Sequence, residues 1–120
     1  MKALKNISAF LMMLCATVSC IHEDPVSDEI KVGDGTLTVV HTPGHSPGSS
    51  CFLSAEAGVM FTGDTLFSDN IGRDDLWGGS FATLRRSLLA LRKYDGNLTI
   101  YPGHGDEEKL SRALDNIMYI

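Results

Sequence analysis

The sequence predicts an α/β (α+β) domain in which helices cover a mixed sheet. Short apolar runs come in pairs around Gly-containing turns, which is typical of hairpins. Further along the chain, strand-like and helix-like patterns alternate. Helices and sheets bury their apolar sides against one another in layers. The 120 residues are enough for one such domain with a modest core.

Two hairpins open the predicted sheet. The segment "IKVGDGTLTVVH" predicts two strands joined at Gly33-Asp34-Gly35, and "CFLSAEAGVMFTGD" predicts two more around a turn at 56–58. The next segment, "LFSDNIGRDDLWGGS", is polar and Gly-rich and has no strong period. Long loops inside compact domains are often functional, so this one is a candidate for part of a site.

Two helices and a strand complete the pattern. Ser80 is a predicted N-cap, and the helix that follows ends near 95–96. Its apolar stripe consists of Phe81, Leu84, Leu88 and Leu91. The segment "NLTIYPGHG" predicts a short strand, and Asp106 is a predicted cap for a last helix. Its inward side is predicted to carry Leu110, Ala113, Leu114 and Ile117.

Composition excludes some partners and says little about others. Fifteen acidic and ten basic residues give a net charge of -5. The densest basic group falls on the first predicted helix and indicates a solvated face, so we expect neither nucleic acid nor membrane as a partner.

Three cysteines, Cys15, Cys20 and Cys51, cannot all pair within the chain, and buried thiols in a reducing compartment are expected.

The first twenty residues fit two interpretations. "MKALKNISAFLMMLCATVSC" has a basic start, an uncharged run and a cysteine after small residues, as a bacterial lipoprotein signal does. The run is too short for a transmembrane helix. The same residues also fit an amphipathic helix, because apolar side chains recur near helical spacing. Thr17 is a poor match to the large aliphatic residue expected three positions before Cys20.

Three polar residues share one local context. His45, Asp64 and His104 each follow a predicted strand, and each comes directly after a glycine. A glycine lets the backbone bend sharply at the end of a strand and project the next side chain from the rim of the sheet. Any one of these motifs on its own usually marks a turn and not a functional site. Together they predict that two imidazoles and one carboxylate meet, which is a ligand set that zinc accepts.

These motifs resemble those of the metallo-β-lactamase-fold hydrolases, and most closely the glyoxalase II-like (hydroxyacylglutathione hydrolase-like) branch. The resemblance rests on "HTPGHSPGSSCFL", "MFTGDTLFSDNIGRDDLWGGS" and "IYPGHGDE", in that order and spacing, from about residue 28 to the end. It implies half of an αββα sandwich: a mixed sheet with helices on one face. Trp77 stands where this branch is expected to have proline. Arg73 and Asp74 are expected to brace the loop that follows Asp64.

The resemblance also implies the site and its chemistry. His45 would be a ligand of one metal, His104 a ligand of a second, and Asp64 the carboxylate that bridges both and orients the attacking hydroxide. The metal would be Zn²⁺, with Fe or Mn as alternatives, and a metal-bound hydroxide would cleave a small-molecule thioester or ester.

The resemblance favours an internal helix for the N-terminus. Residues 1–27 are then a helix and linker, and residues 28–120 are the C-terminal half of the domain. A cytoplasmic location follows, with an exported lipoprotein as the alternative.

The H-x-H-x-D-H motif of the family does not occur in this sequence. Three of the seven usual ligand side chains are therefore expected, and we expect the chain alone to be inactive. Half a sandwich would also expose a sheet face lined by Val39, Phe52, Leu53 and Phe61 or their neighbours. The chain would then be the remainder of a longer hydrolase that needs its N-terminal half, or a non-catalytic module that associates, for example as a homodimer, through that face.

Overall fold

The computed structural model describes residues 28–120, which form a six-stranded sheet. Its strands lie side by side in chain order: β1 (Glu29–Val32), β2 (Gly35–His41), β3 (Ser50–Ser54), β4 (Val59–Gly63), β5 (Thr99–Pro102) and β6 (Glu108–Lys109). Neighbours are antiparallel except for β4 and β5, which are parallel. The connection between those two strands contains helix α1 (Phe81–Ala90) and a 3₁₀ turn (Leu91–Lys93), and helix α2 (Leu110–Asn116) follows β6. The mixed α/β fold is therefore confirmed.

The two hairpins form where the sequence predicts them. Gly33 and Gly58 adopt positive φ angles of 61° and 72° in the two turns. Glycine reaches this conformation without steric cost, which explains its place in tight hairpins.

Both helices cover the same face of the sheet. Alternate strand residues Cys51, Met60 and Ile100 are fully buried there, because successive side chains of a strand point to opposite faces. The two helices and the residue that follows each of them add Leu84, Leu88, Leu91, Leu110, Ala113, Leu114 and Ile117 to the same cluster. Burial of each large apolar side chain contributes about 1.5–3 kcal/mol, so this layer is the main source of stability.

Helix α1 begins as predicted. The Ser80 hydroxyl accepts a hydrogen bond from the Thr83 amide at 3.2 Å, which satisfies a donor that the first turn leaves free. The predicted burial of the stripe is wrong for one member: Phe81 is 45% exposed, whereas Ser87 is buried.

The start of helix α2 also differs from the prediction. Asp106 does not cap it: the helix begins at Leu110, and Lys109 occupies the cap position without a side-chain capping hydrogen bond. Residues Glu108–Lys109 instead pair with β5 as a short edge strand. The edge of β5 that faces away from β4 has free backbone N–H and C=O groups, and this segment pairs with them. A capping pattern, which considers only neighbouring residues, does not predict such pairing. The four inward residues predicted for this helix are all buried.

The other face of the sheet carries an apolar row that crosses four strands. Val39, Phe52, Phe61 and Tyr101 lie opposite one another in register, and the last two are 43% and 41% exposed. Among the described residues, no helix lies on this side. Leu53 was wrongly assigned to it: Leu53 pairs with Met60 and packs against the buried cluster, because neighbours in a strand cannot share a face.

Several predictions fall outside the described residues. The helix or signal of the first twenty residues, Cys15 and Cys20 all lie there. Cys51 is a buried free thiol, as predicted, and burial raises its pKa. Within residues 28–120, no helix is long and apolar enough to cross a bilayer.

Candidate metal centre

The turn that carries His45 is packed against helix α1. Gly44 has φ 142°, and a Cβ atom at this position would overlap the backbone of Leu84. The Gly44 carbonyl accepts a hydrogen bond from the Ser80 amide at 2.8 Å, and the Ser87 hydroxyl donates to the Pro43 carbonyl at 2.7 Å. The glycine therefore allows close contact with the helix, and the helix fixes the turn.

Asp64 follows the sharp end of β4. Gly63 has φ 52°, and its carbonyl accepts a hydrogen bond from the Gly103 amide at 2.7 Å. This bond joins the ends of the two parallel strands that carry Asp64 and His104. A Cβ atom at Gly103 would lie 2.6 Å from Asp64 Oδ1, so the missing side chain leaves space for the carboxylate.

His45 is oriented by the backbone of the loop that follows Asp64. Its Nδ1 lies 2.7 Å from the Arg73 carbonyl oxygen, and because a carbonyl can only accept, Nδ1 carries the proton. Nε2 then presents a free lone pair in the neutral ring, and it lies 3.4 Å from Asp64 Oδ2. The side chain is only 22% exposed.

His104 meets the other oxygen of the same carboxylate. Its Nε2 lies 3.5 Å from Asp64 Oδ1, and its side chain is 76% exposed. The Phe67 ring meets the imidazole edge-on at a centroid distance of 5.8 Å. The predicted meeting of His45, Asp64 and His104 is thus seen in the geometry.

The donor set fits divalent metal ions, but only in part. Each oxygen of Asp64 faces one imidazole nitrogen, and a cation between a carboxylate oxygen and a nitrogen lone pair would stabilise both pairs. In residues 28–120, no three His, Cys, Asp or Glu side chains form a single metal-ligand cluster. The arrangement is therefore two pairs that share Asp64. A catalytic zinc usually has three protein ligands, so each pair supplies an incomplete set.

Of the two residues expected to brace the loop after Asp64, Arg73 makes an ion pair within the loop, with Asp75 as its partner. Arg73 binds Asp75 through two hydrogen bonds of 2.9 and 3.1 Å, rather than Asp74. This exposed pair lowers the pKa of Asp75, mainly through the Arg73 hydrogen bonds. The backbone of the loop acts more directly, through the Arg73 carbonyl and through Gly72, where a Cβ atom would overlap the Asp64 carbonyl.

Sequence patterns did not point to two residues that line the site. Phe67 and Gly72 have no periodicity or motif of their own that points to His104 or Asp64. His41 takes no part, because its Nε2 lies 2.8 Å from the Pro47 carbonyl.

The family model of the metallo-β-lactamase superfamily matches residues 17–104, a span that includes all three candidate ligands. The chain therefore belongs to the metallo-β-lactamase superfamily. It is 46% identical over 85 residues to the uncharacterized protein ML0493 of Mycobacterium leprae, a match that covers 69% of this chain and 39% of that protein. It is also 38% identical over 77 residues to the hydroxyacylglutathione hydrolase GloC of Haemophilus influenzae, with coverages of 63% and 36%.

Solved structures agree with this assignment. The B3 metallo-β-lactamase BLEG-1 superposes with a TM-score of 0.73 at 32% identity, covering 82% of this chain and 47% of its own. The di-iron-bound form of TTHA1623 superposes with a TM-score of 0.69 at 30% identity, covering 82% and 49%. The chain spans about two fifths of the length of the curated relatives it matches.

Proposed function

We propose that this chain is the part of a metal-dependent hydrolase that binds both metals through Asp64, and that the complete enzyme cleaves thioester or ester bonds. The observation that carries the proposal is the position of Asp64, with one carboxylate oxygen facing each imidazole at 3.4 and 3.5 Å. The relative from Haemophilus influenzae is named a hydroxyacylglutathione hydrolase, which supports a thioester as the substrate class.

The residues have separate roles in this proposal. Asp64 would hold both cations, and each histidine would hold one of them. The hydrogen bond from His45 Nδ1 to the Arg73 carbonyl fixes the ring and makes Nε2 a better ligand. When bound, the metals supply Lewis acidity and activate water near neutral pH. Zinc is the expected metal, and the di-iron form of TTHA1623 supports iron as an alternative.

We infer that the chain alone does not hydrolyse the substrate, because each metal would keep only two of its side-chain ligands. The test is co-expression of the whole 120-residue chain with the portion of the Haemophilus relative outside its matched segment. Hydrolysis of a glutathione thioester should appear only when both parts are present, and the Asp64→Asn variant should lose it. A β-lactam serves as the comparison substrate. A complex that forms and binds zinc but leaves the thioester intact would contradict the proposed reaction.

The apolar row on the sheet favours a second candidate, a non-catalytic module that associates through this face. Phe61 and Tyr101 are neighbours with ring centroids 5.8 Å apart, and both are more than 40% exposed. Large exposed apolar patches mark association sites. Sedimentation of the purified chain should show a dimer that Phe61→Asp converts to monomer, whereas Asp69→Asn, an exposed loop change, should not. A wild-type monomer at high concentration would exclude this candidate.

A further inference from the structure

Two buried hydroxyl groups connect the turns that carry His45 and Asp64. Thr42 Oγ1 and Thr65 Oγ1 lie 3.0 Å apart, and both residues are only 1% exposed. Thr42 opens the turn that leads to His45, and Thr65 directly follows Asp64. The hydrogen bond therefore joins the two ligand-bearing turns at their bases.

The sheet relates these two turns only indirectly, through β3. Strands β2 and β4 are not neighbours, because β3 lies between them. Adjacent strands are about 4.8 Å apart, so the ends of β2 and β4 are separated by roughly twice that distance. No backbone ladder connects them, and the hydroxyl pair spans this gap.

The side chain between the two strands is compatible with this bond. Cys51 of β3 is fully buried, and its Sγ lies 3.5 Å from Thr42 Oγ1. Its thiol stays protonated, because burial raises its pKa. The group beside the threonine pair is therefore small and uncharged, and it leaves room for the two hydroxyls to meet.

The burial of the Thr42–Thr65 hydrogen bond makes it a strong restraint on the two turns. It lies in a region of low dielectric, where the interaction is stronger than in water and an unpaired hydroxyl is costly. Each backbone is also fixed separately, since the Thr42 amide donates to the Ser49 carbonyl and the Thr65 amide to the Thr62 carbonyl. The side-chain bond then fixes one turn relative to the other.

We propose that Thr42 and Thr65 are positioning residues that set the approach of His45 Nε2 to Asp64, and thereby the affinity of this pair for a divalent cation. The part that concerns affinity rests on the proposed metal-binding function. His104 does not depend on this bond, because it is joined to Asp64 through the Gly103 amide and the Gly63 carbonyl.

The test compares Thr65→Val, which lacks the hydroxyl, with Thr65→Ser, which keeps it. Zinc is added to the full chain, and the imidazole nitrogens of His45 and His104 are followed by NMR. Thr65→Val should weaken the response of His45 about tenfold, in the range known for groups that orient metal ligands. The response of His104 should change less than about twofold, and Thr65→Ser should restore wild-type behaviour.

Further variants keep the test decisive. Thr42→Val should have the same effect, and the double variant Thr42→Val/Thr65→Val should be no worse than either single one, because both remove the same bond. The double variant removes both hydroxyls at once, so neither is left buried without its threonine partner. It can therefore replace a single variant that fails to fold. Equal weakening at both histidines, or a valine variant that behaves as wild type, would overturn the proposal.

A metal-free measurement separates this inference from the proposed function. Without zinc, wild-type His45 should show a single Nδ1-protonated form, whereas Thr65→Val should show a mixture of tautomers or broadened signals. If the signals of the wild-type histidines do not change with zinc, the proposed metal-binding function is wrong. The tautomer comparison still tests the positioning role in that case. If the tautomer is the same in wild type and Thr65→Val, the positioning role fails.

Discussion

The two imidazoles that face Asp64 are held in very different ways. His45 is 22% exposed, donates to the Arg73 carbonyl and sits on a turn packed against helix α1. His104 is 76% exposed, and the edge of Phe67 is its one aromatic contact in the described part of the chain. One side of the carboxylate is thus pre-organised, and the other is exposed and weakly restrained.

The difference follows from the elements behind each turn. The His45 turn packs against helix α1, and this contact excludes water and restricts the turn. The His104 turn ends at Gly105, which has φ 87° and space around it. A ligand held in place before the metal arrives loses little conformational entropy on binding, whereas an exposed one must be ordered at that moment. We therefore expect the His45 side to bind a cation first.

The largest expected effect comes from breaking the rigid side with Gly44→Ala. The new methyl group would overlap the Leu84 backbone, and φ 142° is unfavourable for alanine. The free energy of unfolding should fall by about 3 kcal/mol, measured by urea denaturation.

Gly48→Ala is the matched control. It lies in the same turn with no atom within 4 Å of the added Cβ, so it should change stability by less than about 0.5 kcal/mol. Equal stability of the two variants would show that the turn is not held by the helix.

A smaller and more local effect is expected from Gly103→Ala on the exposed side. Its Cβ would lie 2.6 Å from Asp64 Oδ1, so the carboxylate oxygen that faces His104 must move. The zinc response of His104, measured by imidazole NMR, should weaken about tenfold.

Gly105→Ala provides the contrast to Gly103→Ala. It introduces backbone strain at φ 87° but no new contact, so it should lower stability and keep the response of His104. If both variants weaken that response equally, backbone strain rather than contact with Asp64 is the cause.

The smallest effect is expected from Asp75→Asn in the loop that supports His45. Because Arg73 lowers the pKa of Asp75, the folded state favours the ionised carboxylate. Its contribution is present above the ordinary pKa of 3.8 and is lost as the pH falls through the lower folded value. The variant should be slightly less stable than wild type near neutral pH.

The pH dependence of urea midpoints checks the role of Asp75. The difference between wild type and Asp75→Asn should shrink towards zero in acid, because wild-type Asp75 is then protonated and uncharged. A difference that persists unchanged at low pH would show that the ion pair is not its cause.

The strands and the turns that carry His45, Asp64 and His104 could be predicted because their causes are local. Gly44, Gly63 and Gly103 each mark the point where a strand ends and a side chain leaves the sheet. The prediction failed where the cause lies in another element of the fold. The edge of β5 recruits Glu108–Lys109 into the sheet and overrides the local capping pattern at Asp106.

The hydroxyl bond between Thr42 and Thr65 shows the same limit. The two residues are 23 positions apart, and neither has a periodic pattern that would pair it with the other. Only the order of the strands brings them together across β3.

The most direct test of the shared carboxylate is a zinc titration of the chain and of Asp64→Asn, followed by the imidazole signals of both histidines. His45 and His104 should both respond in the wild type, and neither should respond in the variant. Responses that survive the substitution, or a wild type in which only one histidine responds, would contradict the claim that Asp64 joins two metal positions.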